Sequence, residues 1–267
     1  MGRIIAIANQ KGGVGKTTTC VNLAASLAAA RRRVLLVDLD PQGNATMGCG
    51  VDKRAVSADA CGVLLGEVEP AAAVVRVEPA GFDLLPANDD LTAAEVRLMD
   101  REGRERRLSQ VLAGVAGDYD FVFVDCPPAL NMLTINALTA ARGLIVPIQC
   151  EYYALEGLSS LMDTVARIRA TVNPQLELEG LLRTMYDARN NLANEVSEQL
   201  KQHFGERLYN TVIPRNVRLA EAPSHGLPVL LYDRTSRGAL AYLTLAGEML
   251  RRQRAPAEAV EANGDGG

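Results

Sequence analysis

At 267 residues the chain can form one large α/β domain or two small ones, and its 48% apolar and 22% charged residues are those of a globular protein. A formal net charge of −4 excludes nucleic-acid binding through overall charge, so any such surface must be a local patch. Cys20, Cys49, Cys61, Cys126 and Cys150 lack metal-like spacing, which argues against a disulfide framework or a zinc site and suits a reducing cytoplasm.

The first element is an apolar strand over residues 4–8. Little chain precedes it, and no signal peptide or appended N-terminal module is expected. The stretch from Gln10 to Thr18, Gln-Lys-Gly-Gly-Val-Gly-Lys-Thr-Thr, follows, and a helix is predicted over residues 17–30. Strand, glycine-rich turn and helix are the context of a phosphate-binding loop. Gly12, Gly13 and Gly15, with Val14 between them, let several backbone N–H groups converge on one anion. Lys16 brings a point charge to the terminal phosphates, the Thr17 hydroxyl suits Mg²⁺, and Thr18 completes the loop. The general phosphate-loop pattern wants glycine where Gln10 stands, and a second lysine, Lys11, follows at once. Arg31, Arg32 and Arg33 close the first helix, where cations suit the helix dipole and solvent.

A second strand over 34–37 runs into Asp38-Leu39-Asp40-Pro41. Asp38 and Asp40 are two residues apart, so an extended chain puts them on one face, at the strand end where ligands bind in parallel sheets. Asp40 is the candidate to orient or activate a water in line with a γ-phosphate. Asp38 is read mainly as an outer-shell partner of Mg²⁺ or lysine. Residues 50–77 mix short helix and loop.

Further strands are predicted over 82–85, 121–124, 144–148, 178–185 and 208–212, and helices over 104–115, 155–170, 193–203 and 238–252. Alternating strands and helices imply right-handed crossovers and a mostly parallel, twisted sheet covered by helices on both faces. Phe121-Val122-Phe123-Val124 ending in Asp125 is a Walker B pattern, whose carboxylate can hold Mg²⁺. Pro127-Pro128 stiffens the turn after it. The expected division is one domain over 1–254 and a disordered acidic tail over 255–267.

The form K-G-G-x-G-K-T resembles the deviant phosphate loop of the ParA, MinD and nitrogenase-iron-protein class of P-loop NTPases. The whole set of motifs resembles the ParA/Soj chromosome-partitioning ATPases. It comprises the loop, Val37-Asp-Leu-Asp-Pro-Gln-Gly-Asn-Ala-Thr, Asp125-Cys-Pro-Pro, the segment from Gln149 to Leu158 and the segment from Val212 to Gly226. The resemblance implies a slow ATPase using ATP and Mg²⁺, with Lys11 reaching across a homodimer to phosphates held by the other subunit. It implies Thr17 and Asp125 at the metal, Asp40 in hydrolysis, and an adenine pocket at Pro214 and Asn216. It also implies non-specific binding of double-stranded DNA, a ParB partner that stimulates hydrolysis, and a cytoplasmic, nucleoid-associated location. Chromosome and plasmid partition are not distinguished.

Arg189, at the position this resemblance marks as DNA-contacting, is joined here by Arg215 and Arg218, all expected in loops or at helix starts. Arginine there suits phosphate contacts without base readout. A MinD-like membrane switch is the alternative, but it needs a basic amphipathic C-terminal helix, where this chain has Pro, Ala, Glu and Gly. An iron–sulfur reductase would need cysteines placed to share a cluster.

Overall fold

The computed structural model describes residues 2–261, with side chains through residue 253. Its sheet has seven strands: β1 (Arg3–Ile7), β2 (Val34–Asp38), β3 (Val75–Val77), β4 (Phe82–Leu85), β5 (Phe121–Asp125), β6 (Gly143–Gln149) and β7 (Glu177–Thr184). They lie in the order β3-β4-β2-β5-β1-β6-β7, and every pair is parallel except β3 with β4. The helices are α1 (Lys16–Ala29), α2 (Asn44–Gly48), α3 (Ala60–Leu65), α4 (Pro70–Ala73), α5 (Leu91–Met99) and α6 (Arg107–Ala113), then α7 (Met132–Ala140), α8 (Ala154–Thr171), α9 (Asn191–Phe204), α10 (Val217–Glu221), α11 (Val229–Tyr232) and α12 (Arg237–Glu261).

Central strands are buried on both faces, so their sequences are apolar without alternation. Ile5 and Ile7 of β1, with Leu36 of β2, face a core built from α1 and α12, through Leu23, Leu27, Tyr242 and Met249. Ile4, Ala6, Leu35 and Val37 face the opposite core, built from α6, α7, α8 and α9 through Leu112, Leu133, Leu161 and Leu200. This two-faced burial fixes the register, because a slip of one residue would exchange the two cores. In that register Asp38 and Asp125 are direct neighbours at the carboxyl ends of β2 and β5, and Asp125 is also level with Ile7, just before the phosphate loop.

Two expectations are corrected. Residues 208–212 form no strand. Only isolated bridges, Leu181 with Leu208 and Tyr186 with Pro214, line the edge of β7. The amides of Asn210 and Thr211 donate to the Glu248 carboxylate instead of a strand ladder. Residues 50–77 contain a short strand, β3, at one edge of the sheet and antiparallel to β4. Helix α12 runs to Glu261, and the end of the expected tail lies outside the described residues. All five cysteines are free and buried. Among the described residues no helix is long and apolar enough to cross a membrane.

Candidate functional site

The loop between β1 and α1 is tied down at three points. Asn9 donates to the Pro147 carbonyl at 2.7 Å and accepts from the Lys11 amide at 3.0 Å, which clamps the loop's entry to β6. The Thr184 hydroxyl, at the end of β7, donates to the Val14 carbonyl at 2.8 Å. Gly13 and Gly15 adopt φ of 72° and 84°, the left-handed region that other residues enter at a cost. No heavy atom lies within 4 Å of where a Cβ on Gly12 or Gly13 would stand, so the loop's open side is free for a ligand. Gly15 precedes α1 with no side-chain cap, leaving the first-turn N–H groups to an anion.

Lys16 is buried, and its Nζ arches back to the Lys11 carbonyl at 3.0 Å. Burial lowers its pKa, opposed by the negative charges of Asp125 and Asp40. Lys11 points outward and pairs with Glu151, at the start of the α8 region. Asp125 is fully buried. One oxygen accepts from the Cys20 thiol at 3.4 Å, while Oδ2 has no partner, and Thr17 stands beside it. Burial raises its pKa, and Asp38 alongside raises it further. An orphaned buried carboxylate oxygen beside a threonine hydroxyl fits a divalent cation shared with phosphate oxygens. Among the described residues no cluster of three or more His, Cys, Asp or Glu forms a self-sufficient metal cage.

Asp38 has both oxygens engaged: Oδ1 accepts from the Asp40 amide, and Oδ2 from the Thr46 amide and hydroxyl. It therefore stands behind the site, without a free oxygen turned to an ion. Asp40 accepts from the Gln42 amide at 3.0 Å and is close enough to act on the charges of Lys16 and Asp125. The carboxyl ends of the central strands thus gather Lys11, Lys16, Thr17, Thr18, Asp38, Asp40 and Asp125.

Pro214 bridges to Tyr186, just past β7, and Asn216 immediately precedes α10. The Asn216 Oδ1 is buried without a donor, an acceptor suited to an exocyclic amine such as that of adenine. Arg189 is bidentate on Asp187, at 2.9 and 2.8 Å, with its side chain 90% exposed. Arg215 is exposed and adds its field at Asp187. Arg218 is separate, paired with Glu221 at 2.7 Å and Asp233 at 3.3 Å. A larger groove of about 1010 Å³ lies along the outer edge of β7, between Arg3, Glu179, Arg183 and Tyr209, and none of the expected site residues lines it.

Sequence reasoning gave no role to Glu151, Thr46 or Cys20. Thr46 and Glu151 lie within quoted motifs, but their partners Asp38 and Lys11, like Asp125 for Cys20, are seen only in the fold.

A family model described as an AAA domain matches residues 2–178. The chain is 50% identical over 254 residues to the chromosome partitioning protein ParA of Caulobacter vibrioides, covering 94% of this chain and 95% of that one. It is 52% identical over 249 residues to the sporulation initiation inhibitor protein Soj of Bacillus subtilis, covering 93% and 98%. A solved structure described as cobyrinic acid a,c-diamide synthase of Mycobacterium smegmatis, with bound ADP and magnesium, superposes with a TM-score of 0.84 at 42% identity, covering 96% and 97%.

Proposed function

The chain belongs to the ParA/Soj family of chromosome-partitioning P-loop ATPases and uses ATP and Mg²⁺, and from that premise we propose that it is a nucleotide-switched, DNA-binding dimer. The observation that carries the reading is the pair of lysines on one phosphate loop. Lys16 turns inward over the loop, while Lys11 turns outward to an exposed carboxylate. A lysine already committed to phosphate in its own subunit would not be held at the rim. Lys11 serves the phosphates of a second copy in a two-fold arrangement.

In this reading the N–H groups from Gly12 to Thr18 and the Lys16 ammonium bind the β- and γ-phosphates. Thr17 and Asp125 hold Mg²⁺, which neutralises charge on the phosphate oxygens. Asp40 orients the attacking water in line with the γ-phosphorus, and Asn216, with Pro214, receives the adenine. Arg189 and Arg215, with Arg218, contact the phosphates of double-stranded DNA without reading bases. The dimer is the DNA-binding state, located on the nucleoid. A ParB-type partner stimulates hydrolysis, which dissolves the dimer and releases the DNA.

Asp40→Ala tests the cycle. Light scattering and phosphate release should find it dimeric with ATP and nearly inactive in hydrolysis. Wild-type turnover in that variant would remove Asp40 from the chemistry.

A further inference from the structure

We infer that Thr46 is a positioning residue for hydrolysis, acting through a buried brace that holds the Asp40 loop. The inference rests on the reading of Asp40 as the water-orienting group.

Asp38 and Thr46 are both fully buried. The Asp38 carboxylate accepts from the Asp40 amide at 3.2 Å, the Thr46 amide at 2.8 Å and the Thr46 hydroxyl at 2.7 Å. One side chain thus pins both ends of the loop from 40 to 46. The Thr46 hydroxyl gives its proton to Asp38 and accepts from the Ala87 amide at 2.9 Å, so the loop is also fixed to the chain beyond β4. Its apex is held from outside, where the Lys53 ammonium donates to the Gln42 carbonyl at 2.9 Å. Gly43, at φ 62°, packs so closely that a Cβ there would stand 2.8 Å from the Ala87 carbonyl oxygen.

Thr46 forms no side-chain hydrogen bond to the phosphate loop. Its bonds reach the chemistry only through Asp38 and the backbone that carries Asp40. Valine at 46 would keep the volume but strip one donor from Asp38 and leave the Ala87 amide buried without a partner. Serine would keep both bonds. A small displacement of a water-orienting carboxylate slows a step that depends on alignment, without weakening phosphate binding. The same geometry gives Asp38 its role: it holds the loop and leaves the metal to Thr17 and Asp125.

The test compares Thr46→Val, Thr46→Ser, Lys53→Met and Asp40→Asn with the wild type. It reads single-turnover hydrolysis, affinity for a fluorescent ATP analogue, and thermal melting. Thr46→Val should hydrolyse roughly ten- to a hundredfold more slowly with analogue affinity nearly unchanged. Thr46→Ser should return close to the wild-type rate. Wild-type turnover in Thr46→Val beside an inert Asp40→Asn overturns the brace alone. Equal slowing by valine and serine, or slowing matched by lost affinity, overturns it as well. Normal turnover in Asp40→Asn instead retires Asp40 itself. If Thr46→Val does not fold, Lys53→Met decides: it must slow hydrolysis in the same direction, and an unchanged rate overturns the brace.

Discussion

Replacing Asp125 with asparagine should make the nucleotide-free protein more stable while abolishing its response to Mg²⁺ and ATP. Asp125 is fully buried, faces Asp38 across the β2–β5 register and leaves Oδ2 unpartnered. Burial and then Asp38 raise its pKa. A carboxyl whose folded pKa exceeds its unfolded value of about 3.9 binds more protons when folded, so stability falls as pH rises from there through the folded pKa. Each pH unit of that window costs about 1.4 kcal/mol. Asparagine removes the charge and keeps an acceptor for Cys20, but buries an amide whose donors have only Asp38 and Thr17 nearby. The net gain at pH 7 without metal is about 1–3 kcal/mol once that amide is charged against it. For a chain of this size that is a rise in Tm of roughly 2–10 °C. Calorimetry in chelator from pH 5 to 8 should show wild-type stability declining across the range and the variant's profile flatter and higher. Added Mg²⁺ and ATP should then stabilise the wild type far more than the variant. An asparagine variant less stable than the wild type throughout, with the same pH slope, would refute the reasoning.

Two further outcomes follow from the site. Lys11→Ala removes one exposed ion pair, worth at most about 1 kcal/mol, so melting should barely change and a single chain should still bind nucleotide. Light scattering with ATP should find it monomeric, and a stable ATP dimer would contradict the cross-subunit role. Arg189→Ala should lose DNA retention at moderate salt with ATP binding intact, because among the described residues its side chain pairs only with the neighbouring Asp187. DNA affinity equal to the wild type would remove Arg189 from the interface.

The phosphate loop, both acidic strand ends and the parallel sheet were legible because each depends on neighbours in sequence. Glycines enter left-handed φ at Gly13 and Gly15, and doubly buried strands such as Phe121–Asp125 carry uninterrupted apolar runs. What escaped depends on distant partners. Residues 208–212 have strand-like composition, but the carboxylate of Glu248, on α12, takes the amides of Asn210 and Thr211 and interrupts the pairing with β7. The short strand Val75–Val77 has an exposed central arginine, which ion-pairs with Asp83 and gives little apolar pattern to read. Thr46 closes the quoted motif that starts at Val37, but its bonds to Asp38 and to Ala87, 41 residues away, exist only once the sheet has formed. Arg218, proposed as a DNA contact, is paired with Glu221 and Asp233, so reaching phosphate requires exchanging those partners.

The most direct measurement is equilibrium binding of the wild type to a random-sequence duplex, with ATP, with ADP and without nucleotide, recorded alongside molecular mass. The account requires tight, salt-sensitive binding only with ATP and only at the mass of two chains. Equal affinity in all three conditions, or tight binding by a single chain, would contradict it.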